Sequence, residues 1–503
     1  MDGMRGPRPS GAGEVFRLRS AMLRGIEAIE VEVEVSTSHG IPGMTVVGMP
    51  DKAVLEARSR VRSAMRASGF VVPRLSIMVG LAPADLRKSG SAFDLPIAVA
   101  ILCATGQLPR EGIDGCIFVG ELSLAGEVLP ARGMVAYAQL ANDLGATLVA
   151  AGPMPMARAR CRSMSSLSDL RLGVASLPEP SPFHPEPLPQ QVFVPNYGEV
   201  RDQEVAKRAF SIAATGRHGL LMVGPPGSGK TLLARCLPSI LPPLDKRGML
   251  EALLVHSVAG LGLAGIEAGI RPFRAPHHTI SAAGLVGGGN PVRPGEISLA
   301  HEGVLFLDEM PEFSSRALDS LRQPMEDGEV RIVRAEGAFR FPSRFMLVAA
   351  ANPCPCGHLG DDVVPCTCTE TQVARYRSKL AGPLADRIDI QLDVRRPDPA
   401  QVIRGSGDTT SETLSDAVQV GLAFRAWRES HAASAAEDEI GSLALDDDAS
   451  RELERLSRRL GFGGRGTVRV ARVARTIADM AEKEKVGCDE VAEASFFRAG
   501  GTR

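Results

Sequence analysis

A glycine-rich octapeptide between two apolar runs constrains the fold of this chain more than any other feature. Its residues are Gly224, Pro225, Pro226, Gly227, Ser228, Gly229, Lys230 and Thr231. The run before it, 220–223, is typical of a buried strand, and residues 232–235 after it indicate the start of a helix. Glycines let successive backbone N–H groups point at one anion, and the helix N-terminus adds partial positive charge. The octapeptide therefore predicts a loop that binds the phosphates of a nucleotide, with Lys230 at the terminal phosphates and Thr231 on Mg²⁺.

Two more apolar runs end in polar side chains. Asp308 and Glu309 follow the run 304–307, and Asn352 follows the run 346–351. In an ATPase, the first acid holds magnesium through water, the second polarises the attacking water, and the amide would orient that attacking water. Each signal alone also fits solvated acids or a turn-forming asparagine. Their order after the phosphate loop favours the catalytic interpretation.

Arg387 lies beside acids in the segment 384–389. A surface salt bridge is the ordinary fate of such a cluster. The functional alternative is an arginine that reaches the terminal phosphate of a nucleotide bound to a neighbouring subunit. Arginine fingers of this kind are worth about 10³–10⁵ in rate.

The composition is that of an ordinary globular protein and argues against several classes. Hydrophobic residues make up 44% of the 503 residues and charged residues 23%. The net charge of −2 means that any contact with nucleic acid must come from local patches or from assembly. One Trp and three Tyr disfavour a base-stacking platform. We find no run of about 18 apolar residues and no apolar core in residues 1–13, so we expect no membrane partner and no secretory signal. The nine cysteines are unevenly placed, which disfavours a disulfide framework, so we expect a cytoplasmic protein.

Changes in composition divide the chain into four segments. We predict an α/β domain at 1–175, a linker at 176–195, the phosphate-loop domain at 196–395 and a helical domain at 396–503. Seven prolines within 178–195 predict that the linker is stiff and extended. Strands and helices that alternate around a phosphate loop predict a parallel sheet. The predicted strands are 26–35, 74–81, 220–223, 304–307 and 345–350, and helical spacing marks 51–68, 93–105 and 465–497.

Four of the nine cysteines are grouped within fifteen positions. They are Cys354, Cys356, Cys366 and Cys368. Four thiolates would hold Zn²⁺ tetrahedrally, although the usual spacing is Cys-x₂₋₄-Cys and these pairs are tighter. The alternative is a loop of reduced thiols. His277 and His278 are a weaker metal candidate, and we interpret them as structural or as part of a substrate-facing insertion.

The order of the phosphate loop, Asp-Glu, Asn and Asp-Arg resembles that of AAA+ ATPases. Longer segments narrow the resemblance to the magnesium-chelatase-like ComM/YifB family. These segments are Arg271-Pro272-Phe273-Arg274-Ala275-Pro276-His277-His278-Thr279, Asn352-Pro353-Cys354-Pro355-Cys356-Gly357, Leu81-Ala82-Pro83-Ala84-Asp85-Leu86-Arg87-Lys88 and Val473-Ala474-Arg475-Thr476-Ile477-Ala478-Asp479. The resemblance implies an ATP-driven, hexameric ring that acts on branched or single-stranded DNA as a helicase, in branch migration during recombination or natural transformation.

The resemblance also implies roles for arginines. Arg387 matches the finger that acts on the neighbouring subunit. Arg465 matches the sensor-2 arginine, although Gly463 and Gly464 stand where the family commonly has Ser-Ala. The segment 329–344 matches a hairpin that projects into the ring pore. Its arginines would contact DNA phosphates, although a solvated hairpin is the alternative; they are Arg331, Arg334, Arg340 and Arg344.

The N-terminal segment resembles the fold shared by Lon proteases and ribosomal protein S5. Ser91 falls where Lon-type enzymes keep the nucleophilic serine, but Val135 occupies the position of their lysine base. A serine without a base is a poor nucleophile, so we expect no peptidase activity. Lys88 is the one nearby residue that would substitute as the base.

Two alternative functions remain at this stage. The first is the ATPase subunit of a metal chelatase that inserts metal into a tetrapyrrole. The second is an ATP-dependent chaperone or scaffold without activity on DNA. The N-terminal domain argues against the first, because chelatase ATPase subunits usually begin near the phosphate loop.

Overall fold

A computed structural model describes residues 15–152, 160–180, 194–335, 337–361, 363–380, 384, 387–404, 409–431 and 443–499. Most of the predicted linker lies outside these residues. So do the first fourteen residues, the two residues before Arg387, and residues 432–442.

The N-terminal domain is a mixed sheet with its helices packed on it. Its sheet has seven strands in the order β3-β4-β2-β1-β5-β8-β9, and β6 and β7 form a separate pair. The strands are β1 Val15–Arg24, β2 Glu27–Ser38, β3 Gly43–Val47, β4 Ser76–Ala82, β5 Cys116–Phe118, β6 Glu121–Leu122, β7 Val128–Leu129, β8 Thr147–Ala150 and β9 Arg160–Ser163. The helices are α1 Lys52–Ala67, α2 Asp94–Ala104 and α3 Met134–Asp143.

The predicted patterns explain these elements. In β2, Val31, Val33 and Val35 are fully buried, and the glutamates between them are partly exposed. Asp51 caps α1, because its carboxylate accepts a hydrogen bond from the Val54 backbone N–H at 2.9 Å. Every residue of α2 is buried, which explains why that helix is apolar on all sides.

The core domain holds a five-stranded parallel sheet in the order β11-β14-β17-β10-β18. Its strands are β10 Leu220–Val223, β11 Phe273–Arg274, β14 Val304–Leu307, β17 Met346–Ala351 and β18 Ile390–Asp393. Two short antiparallel pairs are β12 Gly287–Gly288 with β13 Arg293–Pro294, and β15 Glu329–Arg334 with β16 Gly337–Pro342. The helices are α4 Glu204–Gly216, α5 Lys230–Cys236, α6 Lys246–Ala259, α7 Ala264–Glu267, α8 Ala282–Val286, α9 Glu296–Leu299, α10 Ser315–Asp319, α11 Arg322–Asp327, α12 Glu370–Leu380 and α13 Pro399–Arg404.

The parallel arrangement fixes where the functional side chains meet. The carboxyl ends of β10, β14 and β17 lie at one edge of the sheet, and each of these strands is followed by a predicted site residue or loop. Ligands of open α/β sheets bind at this edge.

The C-terminal domain consists of helices that pack on the core. They are α14 Ser411–His431, α15 Asp447–Leu460, α16 Gly464–Met480 and α17 Cys488–Ala499. Helices α14 and α16 contact α4, and α17 contacts β18. The predicted helical stretch 465–497 is therefore two helices. The chain turns between them at Glu482, which has a φ of +54°, and Arg475 donates to the Glu484 carbonyl oxygen at 2.8 Å.

The N-terminal domain docks on the core through α3 and α6. The Gly133 N–H donates to the Ser257 carbonyl oxygen at 3.1 Å, and the Val135 N–H to the Ser257 hydroxyl at 3.3 Å. Val135 also packs in an apolar cluster with Leu253 and Ile266. Within the described residues, no helix combines the length and the apolar character needed to cross a membrane.

Candidate nucleotide site

The phosphate loop has the backbone of an anion cradle. Gly227 and Gly229 have φ values of +78° and +87°, and a Cβ at either residue would meet open space. Glycine is needed at both positions because a side chain would strain the backbone there. Gly224 is needed for a different reason, since its Cβ would lie 2.1 Å from the carbonyl oxygen of Val394. The loop is thus held closely on one side and open on the other.

Lys230 lies folded inside this loop. Its ammonium donates to the carbonyl oxygens of Gly224 at 2.7 Å and Pro225 at 2.9 Å, and to Asn352 Oδ1 at 3.3 Å. Burial lowers the pKa of Lys230, and the charges of Asp308 and Glu309 oppose that shift. A bound phosphate group would give the Lys230 ammonium an anionic hydrogen-bond partner in place of the neutral carbonyl oxygens.

Thr231 and Asp308 form a pair of oxygen ligands. The Thr231 hydroxyl donates to Asp308 Oδ2 at 2.8 Å, and Asp308 Oδ1 accepts the backbone N–H of Glu309 at 3.0 Å. Two neighbouring ligands of an octahedral Mg²⁺, each about 2.1 Å from the ion, lie about 3 Å apart. The spacing of these two oxygens therefore fits magnesium.

Glu309 stands at the mouth of the site. Its backbone has a φ of +51°, which is unusual for a residue with a side chain, and its carboxylate is exposed. His278 Nδ1 lies 3.6 Å from Glu309 Oε2. The sequence predicts that His278 is structural or substrate-facing, and no local pattern joins it to a glutamate 31 residues away.

Gln203 is a second neighbour of the loop that no sequence pattern predicts. The buried amide of Gln203 donates to the carbonyl oxygens of Ser228 at 3.4 Å and Arg395 at 2.8 Å. Gln203 immediately precedes α4. It joins the phosphate loop to the end of β18, and a lone glutamine gives no signal of such a role.

Arg387 lies at the amino-terminal end of the parallel strands, opposite the end that carries the phosphate loop. Its carbonyl oxygen is next to Gly219, the residue before β10, whereas the phosphate loop follows the end of β10. The two edges are about 16 Å apart, at roughly 3.3 Å per residue. The guanidinium forms an ion pair with Glu326. Arg387 is therefore remote from the phosphate loop of its own chain.

A hydrogen-bonded network surrounds the backbone at Arg387. Arg469 of α16 donates to the Arg387 carbonyl oxygen at 2.7 Å and to Asp389 Oδ1 at 2.6 Å, and His218 Nδ1 lies 3.4 Å from Asp389 Oδ2. Burial acts to raise the pKa of Asp389, but His218 and Arg469 outweigh it and the pKa is lowered. Arg465 lies one turn before Arg469 and is exposed. Across the described residues, no hydrogen bond or ion pair joins Arg465 to the phosphate loop.

Family comparisons cover all three domains. The model for magnesium chelatase, subunit ChlI, matches residues 196–402. A ChlI model matches residues 33–152, and the ChlI C-terminal model matches 408–498.

Full-length relatives identify the branch of the family. YifB of Salmonella typhimurium is 38% identical, covering 96% of this chain and 97% of that protein. The competence protein ComM of Haemophilus influenzae is 37% identical, covering 94% and 96%. The chain belongs to the ComM/YifB family of magnesium-chelatase-like AAA+ ATPases. The magnesium-chelatase 67 kDa subunit of Heliobacterium mobile is 27% identical, over 33% of this chain and 29% of that protein.

The cysteines of this ComM/YifB protein form one cluster. Cys354 Sγ lies 3.4 Å from Cys356 Sγ and 3.7 Å from Cys366 Sγ, and all four sulfurs lie within 4.8 Å of one another. Sulfurs around a tetrahedral Zn²⁺, each at about 2.3 Å from the ion, lie about 3.8 Å apart. Backbone hydrogen bonds from Thr367 and His358 lower the pKa of Cys356 to about 5, whereas burial and hydrogen bonds with neighbouring thiols outweigh backbone N–H bonds and raise the pKa of Cys366 and Cys368. The donor set fits zinc.

The cysteine cluster adjoins the nucleotide site. Gly357 has a φ of +87°, and a Cβ on it would lie 2.8 Å from Pro226 Cδ in the phosphate loop and 3.9 Å from Asn352 Cγ. The loop that carries the cysteines therefore packs directly on the phosphate loop.

The basic hairpin is shorter than predicted. It consists of β15 and β16 and ends at Pro342, with Arg331, Arg334 and Arg340 exposed. Arg331 forms an ion pair with Glu329. Arg344 lies beyond the hairpin, where it is bound by Glu251 and, at 2.8 Å, by Glu302. Arg344 therefore belongs to an ion-pair network of the core, which corrects its predicted place on the hairpin.

The N-terminal domain keeps Ser91 without a lysine. The Ser91 hydroxyl donates to Glu121 Oε2 at 2.6 Å. Lys88 is buried and donates to the Pro83 carbonyl oxygen, and Val135 is buried in α3. In this arrangement Lys88 is bonded to a backbone carbonyl and not to Ser91, and Val135 has no basic group. The absence of peptidase activity remains a prediction.

Proposed function

We propose that the protein is an ATP-hydrolysing ring motor that acts on DNA as a helicase, in branch migration during recombination or natural transformation. The observation that carries the ATPase part is the convergence of Lys230, Thr231, Asp308 and Asn352 at the carboxyl edge of the parallel sheet. The full-length similarity to a competence protein supports the DNA part.

The residues divide the work at the phosphates. The backbone of 224–231 binds the phosphate chain, and Lys230 neutralises its terminal charge. Thr231 and Asp308 would hold Mg²⁺, which supplies charge stabilisation when bound. Glu309 then polarises the attacking water, and Asn352 orients it.

The placement of Arg387 supports a shared site. An arginine whose backbone lies about 16 Å from its own phosphate loop would contribute to hydrolysis through a neighbour's nucleotide. We propose that Arg387 acts across the interface of adjoining subunits and that Arg465 serves as the sensor-2 arginine. The hexameric ring itself rests on the family resemblance.

DNA would be contacted by the basic hairpin. Arg331, Arg334 and Arg340 are exposed on two short strands, of which Val330, Ile332 and Phe341 are buried in the core. Copies of one hairpin around a ring concentrate positive charge without making the chain basic, in agreement with the net charge of −2.

The decisive experiment measures ATP turnover with added ligands. Branched and single-stranded DNA should stimulate the wild-type ATPase, and strand displacement should require ATP. Lys230→Ala should abolish both activities. Indifference to every DNA together with stimulation by a protein partner would favour the scaffold, and ATP-dependent metal insertion into a tetrapyrrole would favour the chelatase. The chelatase relatives match only about a third of this chain.

We also propose that Zn²⁺ occupies the cysteine cluster. Protein purified without chelator should contain one zinc per chain by elemental analysis. Cys366→Ser should remove it. Cys488→Ser is the matched control, because Cys488 is an exposed cysteine outside the cluster. Equal metal content in the two variants would refute the site.

A further inference from the structure

A cavity of about 280 Å³ lies where the N-terminal domain meets the core. The turn between β1 and β2, the loop around Ser91 and the turn before α3 line it from the N-terminal side. The loop 290–293 and Phe339 of the hairpin line it from the core side. The cavity is therefore built by both domains, and it is separate from the nucleotide site.

The lining is strongly basic. Arg24, Arg87, Arg132 and Arg293 line the cavity, and among its described lining residues Glu121 is the acid. The Glu121 carboxylate accepts the hydrogen bond from Ser91 at 2.6 Å. Several guanidinium groups around one cavity with a single carboxylate favour an anionic ligand, and planar guanidinium groups bind phosphate in a bidentate manner.

One wall of the cavity is apolar and includes rings. Leu23 and Val258 provide aliphatic surface, and Tyr137 and Phe339 provide aromatic surface. Any of the nucleobases can stack on an aromatic side chain, whereas the phosphate of a nucleotide binds cationic side chains. A ligand with both a flat apolar part and a phosphate fits this lining.

The cavity continues the basic hairpin. Arg24 lies against Gly337 of β16, where a Cβ would be 2.7 Å from its Nη2, and the Gly25 turn lies against the Arg340 backbone. Arg334 lies against Gly288 of β12 in the same way, at 3.3 Å. The hairpin arginines therefore lie next to the arginines at the cavity mouth.

We propose that this cavity binds a nucleotide unit of single-stranded DNA, with the base on Phe339 and the phosphate among Arg24, Arg132 and Arg293. This inference rests on the proposed function in taking DNA as the partner. A free mononucleotide shares the same chemistry, and its binding is tested separately below.

Binding of DNA is measured on the full-length protein without ATP, so that ATP hydrolysis does not contribute to the signal. A fluorescent oligodeoxythymidylate is titrated at several salt concentrations, and anisotropy is recorded. Arg132→Ala and Arg293→Ala replace exposed residues and should leave the melting temperature unchanged. Each should weaken binding and reduce the slope of log K against log salt by about 0.7, the value for one phosphate contact on a single strand. Arg62→Ala, an exposed arginine of α1 outside the lining, should bind as the wild type does.

Two further arms identify the ligand. Iododeoxyuridine in the oligonucleotide should form a photoadduct in the peptide that contains Phe339. Excess deoxythymidine monophosphate should compete only weakly if the strand is the natural source, and strongly if a free nucleotide is. An acidic peptide that displaces the oligonucleotide equally well would refute the assignment of a nucleotide.

Failure of the cavity site and failure of the DNA motor give different results. Photoadducts confined to the peptide of Arg331 and Arg334, together with wild-type affinity in Arg132→Ala and Arg293→Ala, would overturn the cavity while DNA still stimulates the ATPase. A wild-type ATPase that no DNA stimulates would instead refute the motor.

Discussion

Gly357→Ala tests whether the cysteine loop supports the phosphate loop. The new Cβ would lie 2.8 Å from Pro226 Cδ and 2.9 Å from Pro226 Cγ, whereas ordinary contact begins at 3.4 Å. The proline ring must therefore move by about 0.6 Å, and overpacking of this kind costs about 1–3 kcal/mol. Because Pro226 belongs to the phosphate cradle, part of that cost appears as weaker nucleotide binding. We expect ATP affinity to fall about tenfold, which corresponds to about 1.4 kcal/mol.

Gly360→Ala is the matched control for the backbone. Gly360 lies in the same loop with a φ of +77°, but a Cβ there would meet nothing within 4 Å. Both alanines impose the same left-handed strain, roughly 1–2 kcal/mol, and only Gly357→Ala meets the phosphate loop. Calorimetric titration with a non-hydrolysable ATP analogue compares the two. Equal affinities would show that the contact with Pro226 does not control the cradle.

Three other changes test the assigned roles. Glu309→Gln should retain ATP binding and lose hydrolysis, measured as phosphate release; continued turnover would exclude Glu309 as the group that polarises water. Mixtures of Arg387→Ala and Lys230→Ala subunits should regain part of the turnover that each variant lacks alone, and no recovery at any ratio would argue against a shared site. For Glu302, burial acts to raise the pKa, but its ion pairs with arginines lower it from 4.5 to about 2. A carboxylate with a lowered pKa stabilises the fold above its ordinary pKa and loses that contribution as pH falls toward 2. The difference in melting temperature between wild type and Glu302→Gln should therefore shrink as the pH falls from 4.5 to about 2. A difference that stays constant would refute the ion-pair account.

The sequence predicted those parts of the site that follow strands. Apolar runs ending in Asp308 and Asn352 carry a local signal, and parallel pairing brings their ends together. Gln203 and His278 carry no such signal, because each reaches the site through tertiary packing from a distant part of the chain. The break between α16 and α17 was missed for a related reason. The carbonyl oxygens of Lys483 and Glu484 there accept hydrogen bonds from Arg475, eight and nine residues earlier, and helical spacing does not reveal these bonds.

Arg469 couples the C-terminal bundle to the edge of the core. One guanidinium nitrogen holds both the Arg387 carbonyl oxygen and the Asp389 carboxylate, while Thr476 of the same helix bonds to His218 at 2.8 Å. These bonds attach α16 to the core at two positions along the helix, so we expect the helical bundle and the Arg387 peptide to move as one unit. If the proposed ring forms, a tilt of the bundle would therefore change the position of Arg387 relative to the neighbouring subunit.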